Sequence, residues 1–447
     1  MYNGYITRVK NIRPAENADR LNLCDVFGNT VVVDKNINEN DLYVYFPCDG
    51  QLSLEFCLNN NLLRKLPDGT PGTGYMDPDK RNVVAIKLRG NKSDGLVLPL
   101  SCLDYCFKDG ATAHLKIGDT IDVVNGHDIC TKYIPRGSKQ VGRPTDGNRT
   151  RKKRVPLAPL FVEHADTEQL AYNLGAFRSG DEVEITLKMH GTSQRTGYLP
   201  VFSGFRRTIW DKLFRRDGEP IYTYDIVTGT RRTVINGEDG GYYGSNAFRM
   251  PHSELFRGKL WKGETVYYEV VGFTDTGVPI MAECGNKKLN DKDFVKQYGQ
   301  TTTFSYGCER PNSDIYVYRM TMTNEDGNVV EYTPDFMRYR CEQMGVKTVP
   351  VFWKGTIPAE EIFTGVSCEL TDPGEFIREK AEEFYDGPDP IGKTHVREGV
   401  VVRILNRPKF AAYKHKNFSF KVLEGIIKET AEAPDMEEAD GLEESAT

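Results

Sequence analysis

The side chain best placed to form a bond is Lys188, which ends the alternating run Val183-Glu184-Ile185-Thr186-Leu187 and is followed by Met189-His190-Gly191-Thr192-Ser193. A lysine amine attacks phosphorus only when deprotonated, and its ordinary pKa is ~10.4. Partial burial and neighbouring cations lower that value and expose the lone pair. A strand end fixes such a side chain, and Gly191 lets backbone approach a nucleotide closely. A lysine before a turn is commonly just solvated, so this reading gains weight only from what else the chain carries.

Further groups follow in order. Tyr267-Tyr268-Glu269-Val270-Val271-Gly272 sets a single carboxylate in an apolar strand. Asp314-Ile315-Tyr316-Val317-Tyr318-Arg319 offers tyrosines that could stack on a base. Arg397-Glu398-Gly399 puts a carboxylate at the mouth of the β-branched run Val400-Val401-Val402. In Tyr413-Lys414-His415-Lys416-Asn417 the period of two places both lysines on one face of an extended segment. Phosphoryl and nucleotidyl transfer rely chiefly on positioning and charge stabilisation, and this inventory of cations and carboxylates suits that chemistry.

The ordered set, from about Val183 to Lys421, resembles the covalent nucleotidyltransferase superfamily of RNA ligases, DNA ligases and capping enzymes. Within it the chain is most similar to RNA ligases of the double-strand-sealing group, whose nucleophile motif carries histidine or aspartate before the glycine and whose last motif ends Lys-x-Lys-Asn. The resemblance implies ATP and Mg²⁺ or Mn²⁺ as cofactors. It implies that Lys188 forms a lysyl–AMP bond and that His190 and Gly191 lie at the nucleotide. Arg232 would bind phosphate, with the adjacent Arg231 as its rival. Glu269 would serve the ribose hydroxyls, and Tyr318 would stack on adenine, contributing ~1–3 kcal/mol by analogy with base–aromatic contacts. Glu398 would help hold the metal, and Lys414 and Lys416 would neutralise the α-phosphate. Other cations, including Arg195, Arg206 and Arg207, read as surface or RNA-contacting.

The elements that must position these groups read as α+β. Residues 1–125 alternate as short strands: Tyr5–Ile12, Leu21–Phe27, Thr30–Val33, Leu42–Phe46, Val83–Leu88, Gly95–Leu98 and Thr120–Val124. So many short strands suggest a closed β-barrel without exposed edges. The pieces Pro14-Ala15-Glu16-Asn17-Ala18-Asp19-Arg20-Leu21 and Ile86-Lys87-Leu88-Arg89-Gly90 to Asp94-Gly95-Leu96 resemble the OB-type barrels of tRNA-binding proteins. An OB-like domain before the catalytic one is similar to the Deinococcus-type RNA ligases, which implies nicked duplexes with RNA on the 3′-OH side. A basic linker spans 126–154, and within it Lys139–Arg154 holds seven basic residues and one aspartate. Its terminal Arg151-Lys152-Lys153-Arg154 reads equally as a phosphate contact or as a solvated basic linker or localisation signal. Residues 155–428 form the expected nucleotidyltransferase (adenylation) domain with antiparallel sheets, including strands at Val266–Val271, Ile315–Met320 and Gly399–Ile404 and a helix at Gly374–Tyr385. The tail 429–447 carries eight acidic residues and no basic one, a composition that reads as disordered.

The bulk numbers agree. A chain of 447 residues reads as two or three domains. Its net charge of −6 becomes +2 without the tail. No apolar run approaches the ~20 residues that cross a bilayer, and Met1-Tyr2-Asn3-Gly4-Tyr5 lacks the basic-then-apolar pattern expected of a signal peptide. Ten scattered cysteines without a Cys-x-x-Cys pair point to free thiols in a reducing compartment, the cytoplasm, or the nucleus if the run at 151–154 acts as a signal. Gly69-Thr70-Pro71-Gly72-Thr73-Gly74 lacks the Gly-Lys-Ser/Thr of a phosphate loop and reads as a surface turn. Only Val422–Thr447 follow the lysine motif, so a pyrophosphate-orienting domain there is not expected, against a capping enzyme or a standard DNA ligase. A capping-type guanylyltransferase using GTP and a non-catalytic RNA-binding module are the rival readings.

Overall fold

The computed structural model describes residues 2–107, 111–134, 155–165, 167–214, 218–235, 237, 243, 245–289, 291–358 and 372–429. The basic run Lys139–Arg154 and the acidic tail beyond Glu429 lie outside the described residues. The chain divides into two compact units, Met1–Gly137 with Phe418–Ala431, and Ser138–Asn417. The architecture is mixed α+β, mostly sheet with few helices.

In the first unit, Thr120–Ile121, Gly4–Thr7, Tyr43–Phe46 and Leu96–Pro99 form one antiparallel sheet in that spatial order. Lys10–Pro14, Leu21–Val26 and Asn29–Asp34 form a separate meander. Phe27 and Gly28 turn between its last two strands, both at positive φ, as a tight hairpin requires. Among the described residues these ladders do not close, which corrects the expected barrel. The run Tyr5–Ile12 is not one strand. It breaks after Thr7, resumes at Lys10, and shifts register between Lys10 and Arg13, with Asn11 at φ 54°. Ile6, Val44, Phe46, Leu52 and Phe56 fill the core.

The helix Phe418–Glu429 belongs to this first unit, so the division falls at Asn417/Phe418 rather than at 428. Helical spacing buries Phe420 and Leu423. Lys421 pairs with Asp94, and the Lys92 ammonium lies 5.3 Å from the Phe418 ring centre. An apolar stripe on a short helix must find a covering surface, and the N-terminal strands supply it.

The second unit is built on two five-stranded sheets. The first has the order Glu168–Gln169, Ala411–Lys416, Gly399–Ile404, Glu182–Lys188, Val351–Thr356. It is antiparallel except where Glu168–Gln169 pairs in parallel. The second, wholly antiparallel, runs Glu219–Gly229, Thr192–Arg206, Glu264–Gly272, Ser313–Thr323, Val329–Glu331. Alternation along the first sheet sends Val183, Ile185, Val400, Val402 and Ile404 into a core with Ile377 and Ala381 of the helix Pro373–Glu382. Asp372 caps that helix by accepting the Glu375 N–H. The opposite face of the sheet therefore carries the alternate residues toward a cleft.

Candidate functional site

Three neighbouring strand ends assemble the centre. Lys188 lies in register with Gly399, and Gly399 with Lys416. Glu398, one residue before Gly399, is consequently carried to both lysines. Its Oε1 lies 2.8 Å from Lys188 Nζ and 3.5 Å from Lys416 Nζ, and His190 Nδ1 lies 3.5 Å from Oε2. All three charged groups are buried, Lys188 at 7%, Lys416 at 8% and Glu398 at 2% exposure. Burial pushes the Glu398 carboxyl up, but Lys188, Lys416 and His190 outweigh it and hold it below its ordinary range.

Glycine is needed at both ends of this assembly. A Cβ on Gly399, whose φ is +150°, would stand 2.1 Å from the His415 carbonyl oxygen on the neighbouring strand. A Cβ on Gly191 would stand 2.4 Å from the Val270 carbonyl oxygen and 2.9 Å from Glu269 Cγ. Gly191 thus lets the turn after Lys188 pack against the Glu269 strand of the second sheet. Arg249, 1% exposed, secures the same turn by donating to the Ser193 carbonyl and, at 2.6 Å, to Thr192 Oγ1. The Tyr306 hydroxyl accepts the His190 N–H at 2.7 Å, and the His190 ring meets Phe304 edge-on.

The cleft beside this cluster is lined from the first sheet by Glu184, Thr186, Lys188, Val401, Arg403 and Ala412, and from the second by Thr192, Ser193, Glu269 and Tyr318. Arg231, His164 and Phe410 complete it, with Pro334, Met337 and Arg338 of the helix Pro334–Met344. Tyr318 reaches the cleft through a bulge. Tyr267 pairs with Arg319 and Tyr268 with Val317, so Tyr318 is the extra residue between them. Such a bulge re-aims a side chain. The Tyr318 hydroxyl lies 2.9 Å from Ser193 Oγ, and its ring stands edge-on to His164, 5.1 Å away. Burial, reinforced by Glu269, pushes the Tyr318 phenol above its ordinary value.

Of the residues singled out in sequence, Lys188, Gly191, Glu269 and Tyr318 line the cleft, and His190, Glu398 and Lys416 form the charged centre. Lys414, in register with Val401, shares the strand face of Lys416. Arg231, not Arg232, lines the cleft. Arg195 is a second correction: it is 1% exposed, stacks 4.2 Å from the Phe161 ring, and donates to the Phe161 and Arg232 carbonyls, so it is structural rather than a surface cation. Sequence reasoning missed Arg249, His164 and the ion pair of Arg338 with Glu184, which closes one wall at 2.8 and 3.1 Å. Arg249, His164 and Arg338 fall in no run that alternation or spacing distinguishes, and Glu184, although in the alternating run before Lys188, has nothing in sequence that names its partner.

Among the described residues no cluster of three or more His, Cys, Asp or Glu could hold a metal by itself. Glu398 Oε2 is nevertheless buried with only the longer, 3.5 Å approach of His190 Nδ1 against it, which leaves a carboxylate oxygen with capacity to accept more. Mg²⁺ keeps several waters and binds through one or two carboxylates plus phosphates, so a single carboxylate beside a nucleotide cleft fits it.

No protein-family model matches the sequence, and no curated protein does. The fold is that of an RNA ligase nucleotidyltransferase. A lysine-to-methionine mutant of the Naegleria gruberi RNA ligase with AMP and Mn aligns at TM-score 0.53 and 17% identity, over 94% of this chain and 97% of its own. The lysine-to-alanine mutant with ATP and Mn gives 0.52 at 17%, over 95% and 99%. The same enzyme with PPi gives 0.51 at 17%, over 93% and 97%.

Proposed function

We propose that the protein is an ATP-dependent RNA ligase that joins a 5′-phosphate to a 3′-OH through a lysyl–AMP intermediate. The observation that carries this is the buried Lys188–Glu398–Lys416 cluster at a cleft between two sheets. The neighbouring Naegleria structures add support, because that RNA ligase was captured with ATP, AMP and Mn and was mutated at a lysine and at an aspartate two residues beyond it. Here Lys188 is followed two residues later by His190.

Lys188 Nζ attacks the α-phosphorus of ATP. A P–N bond forms, the bond to pyrophosphate breaks, and the amine proton leaves to solvent. Lys416, and Lys414 on the same strand face, neutralise charge as it develops on the α-phosphate. Arg231 holds phosphate, Glu269 meets the ribose hydroxyls, and Tyr318 with His164 walls the base. A divalent cation, Mg²⁺ or Mn²⁺, held by Glu398 together with waters and phosphates, would add positive charge at the phosphates and free Lys188 from its ion pair. AMP then passes to the 5′-phosphate end: the activated pyrophosphate linkage forms as the P–N bond to Lys188 breaks, and the amine takes up a proton. Finally the 3′-OH attacks the 5′-phosphate, its proton passes to solvent, the phosphodiester forms and AMP leaves. Alignment of each acceptor opposite its leaving group is the main source of rate.

The substrate we assign is a nicked duplex with RNA on the 3′-OH side, with the first unit contributing RNA affinity. Incubation of the purified protein with α-labelled ATP or GTP and Mg²⁺ tests the reading. Label from ATP, lost in Lys188→Ala, is the expected result. Label from GTP alone would indicate a capping activity, and no covalent label a binding module. A panel of RNA, DNA and mixed nicks, varying the 3′-OH strand separately, tests the assigned substrate.

A further inference from the structure

The strand that starts at Thr192, four residues after Lys188, continues far beyond its sheet. Among the described residues its pairing with the Glu269 strand ends at Gly197, while pairing with Glu219–Gly229 runs on to Arg206. The two strands thus project as a ribbon, roughly 30 Å long at ~3.3 Å per residue. At its tip lies the short helix Ile209–Leu213. Ile209 is 84% exposed, Trp210 68%, Leu213 68% and Phe214 61%. Soluble surfaces rarely group four large apolar side chains this way unless something covers them. The Trp210 and Phe214 rings are nearly parallel, 15° apart with centres 6.2 Å apart.

The charge around this patch names its partner. Arg206 and Arg207, both exposed, lead into the tip, and its one described acid is Asp211. Asp211 is turned inward on its own helix, accepting the Thr208 N–H at 2.9 Å and the Thr208 hydroxyl at 2.6 Å. Parallel exposed aromatic rings a few residues from Arg206 and Arg207 are what a single nucleic-acid strand needs, bases stacking on rings and phosphates meeting cations. Continuity with the site points the same way. Along one face of the ribbon Tyr198, Tyr224, Phe202 and Tyr222 form a row that leads from the Lys188 turn to the tip.

We infer that the tip, through Trp210 and Phe214 with Arg206 and Arg207, binds a single-stranded RNA segment flanking the joint that the enzyme seals. The inference rests on the ligase reading for its substrate, and the tip acts as an anchor remote from the chemistry. Remote anchoring makes affinity depend on RNA reach rather than on the ends alone.

The test compares the full-length protein with Trp210→Ala/Phe214→Ala and with Arg206→Ala/Arg207→Ala. Fluorescence anisotropy measures binding to a nicked RNA duplex with or without a single-stranded extension of about 16 nucleotides, the long end of a single-strand footprint. The aromatic variant is expected to lose roughly tenfold or more in affinity for the extended RNA. It should match wild type on the blunt duplex and keep its label from ATP. The arginine variant should show a salt slope smaller by about 1.4, from two phosphate contacts on a single strand. Unchanged affinity of the aromatic variant for the extended RNA would overturn the proposal, whether the patch then proved to dock a protein or an anionic vesicle. An equal loss on blunt and extended RNA would overturn it too. Absence of ATP label in the wild-type protein sinks the ligase reading instead, and the RNA arms still judge the anchor by themselves.

Discussion

Replacing Glu398 by glutamine tests whether the charged centre is built as described. The substitution preserves shape but removes a carboxylate charge that two buried ammonium groups share. Both Lys188 and Lys416 address the same oxygen, at 2.8 and 3.5 Å, and both are at least nine-tenths buried. Removing one partner from a buried ion pair costs about 3–5 kcal/mol. The lower end applies here, because the cleft admits water to one side, and about 3 kcal/mol corresponds to a melting shift of roughly 6–12 °C for a unit of this size. Lys188→Met should cost less than Glu398→Gln, since Glu398 keeps Lys416. The double variant should cost less than the sum of the two, with a coupling of ~1–3 kcal/mol. All three tryptophans, Trp210, Trp261 and Trp353, lie in the second unit, so their fluorescence follows its unfolding alone. The pH dependence has a definite sign. A carboxyl held low in the folded state contributes stability above its unfolded pKa of ~4.3 and loses it as pH falls toward the folded value. If Glu398→Gln unfolds at the wild-type temperature, or if Lys188→Met is the more damaging change, the shared-carboxylate account is wrong.

Three further outcomes follow from the geometry. Arg231→Ala should weaken ATP labelling roughly tenfold or more, the worth of a hydrogen bond to a charged group, while Arg232→Ala leaves it near wild type; labelling rates at a series of ATP concentrations decide between them. Tyr318→Phe loses only the hydroxyl contact with Ser193, about 1 kcal/mol, whereas Tyr318→Ala loses the ring as well, so the nucleotide Kd should rise much more in the second. His252 is lowered to about 4 by burial and by Arg249, against Asp314. Folding therefore weakens as pH drops from ~6.5 toward 4, by about 3 kcal/mol at the end of that window, and His252→Gln should flatten this limb in denaturation curves taken across it.

The strands that carry Lys188 and lead from Glu398 were legible because each carries an unbroken signal. The run Val183–Leu187 alternates, Gly399–Ile404 is β-branched, and both appear as strands with Lys188 and Glu398 at their ends. What failed was information held in geometry. Nothing in Val317-Tyr318-Arg319 marks the bulge that turns Tyr318 into the cleft. The choice between Arg231 and Arg232 depends on the conformation of one turn. Barrel closure could not be inferred from a number of strands, because it depends on ladders between residues far apart in the chain. Arg195 read as a surface or RNA-contacting cation by type, yet it is buried against an aromatic ring and donates to two carbonyls.

The first unit draws on both ends of the chain, and this has a consequence for modularity. The segment that completes it begins at Phe418, two residues after Lys416, with only Asn417 between. A fragment cut before residue 126 lacks the helix that covers it, and the remainder is left with Phe420 and Leu423 stripped of their cover. Neither piece is a portable cassette. Inheritance by recombination would have to move the N-terminal strands and the helix Phe418–Glu429 together, and internal substitution rather than truncation is the way to perturb one unit without the other.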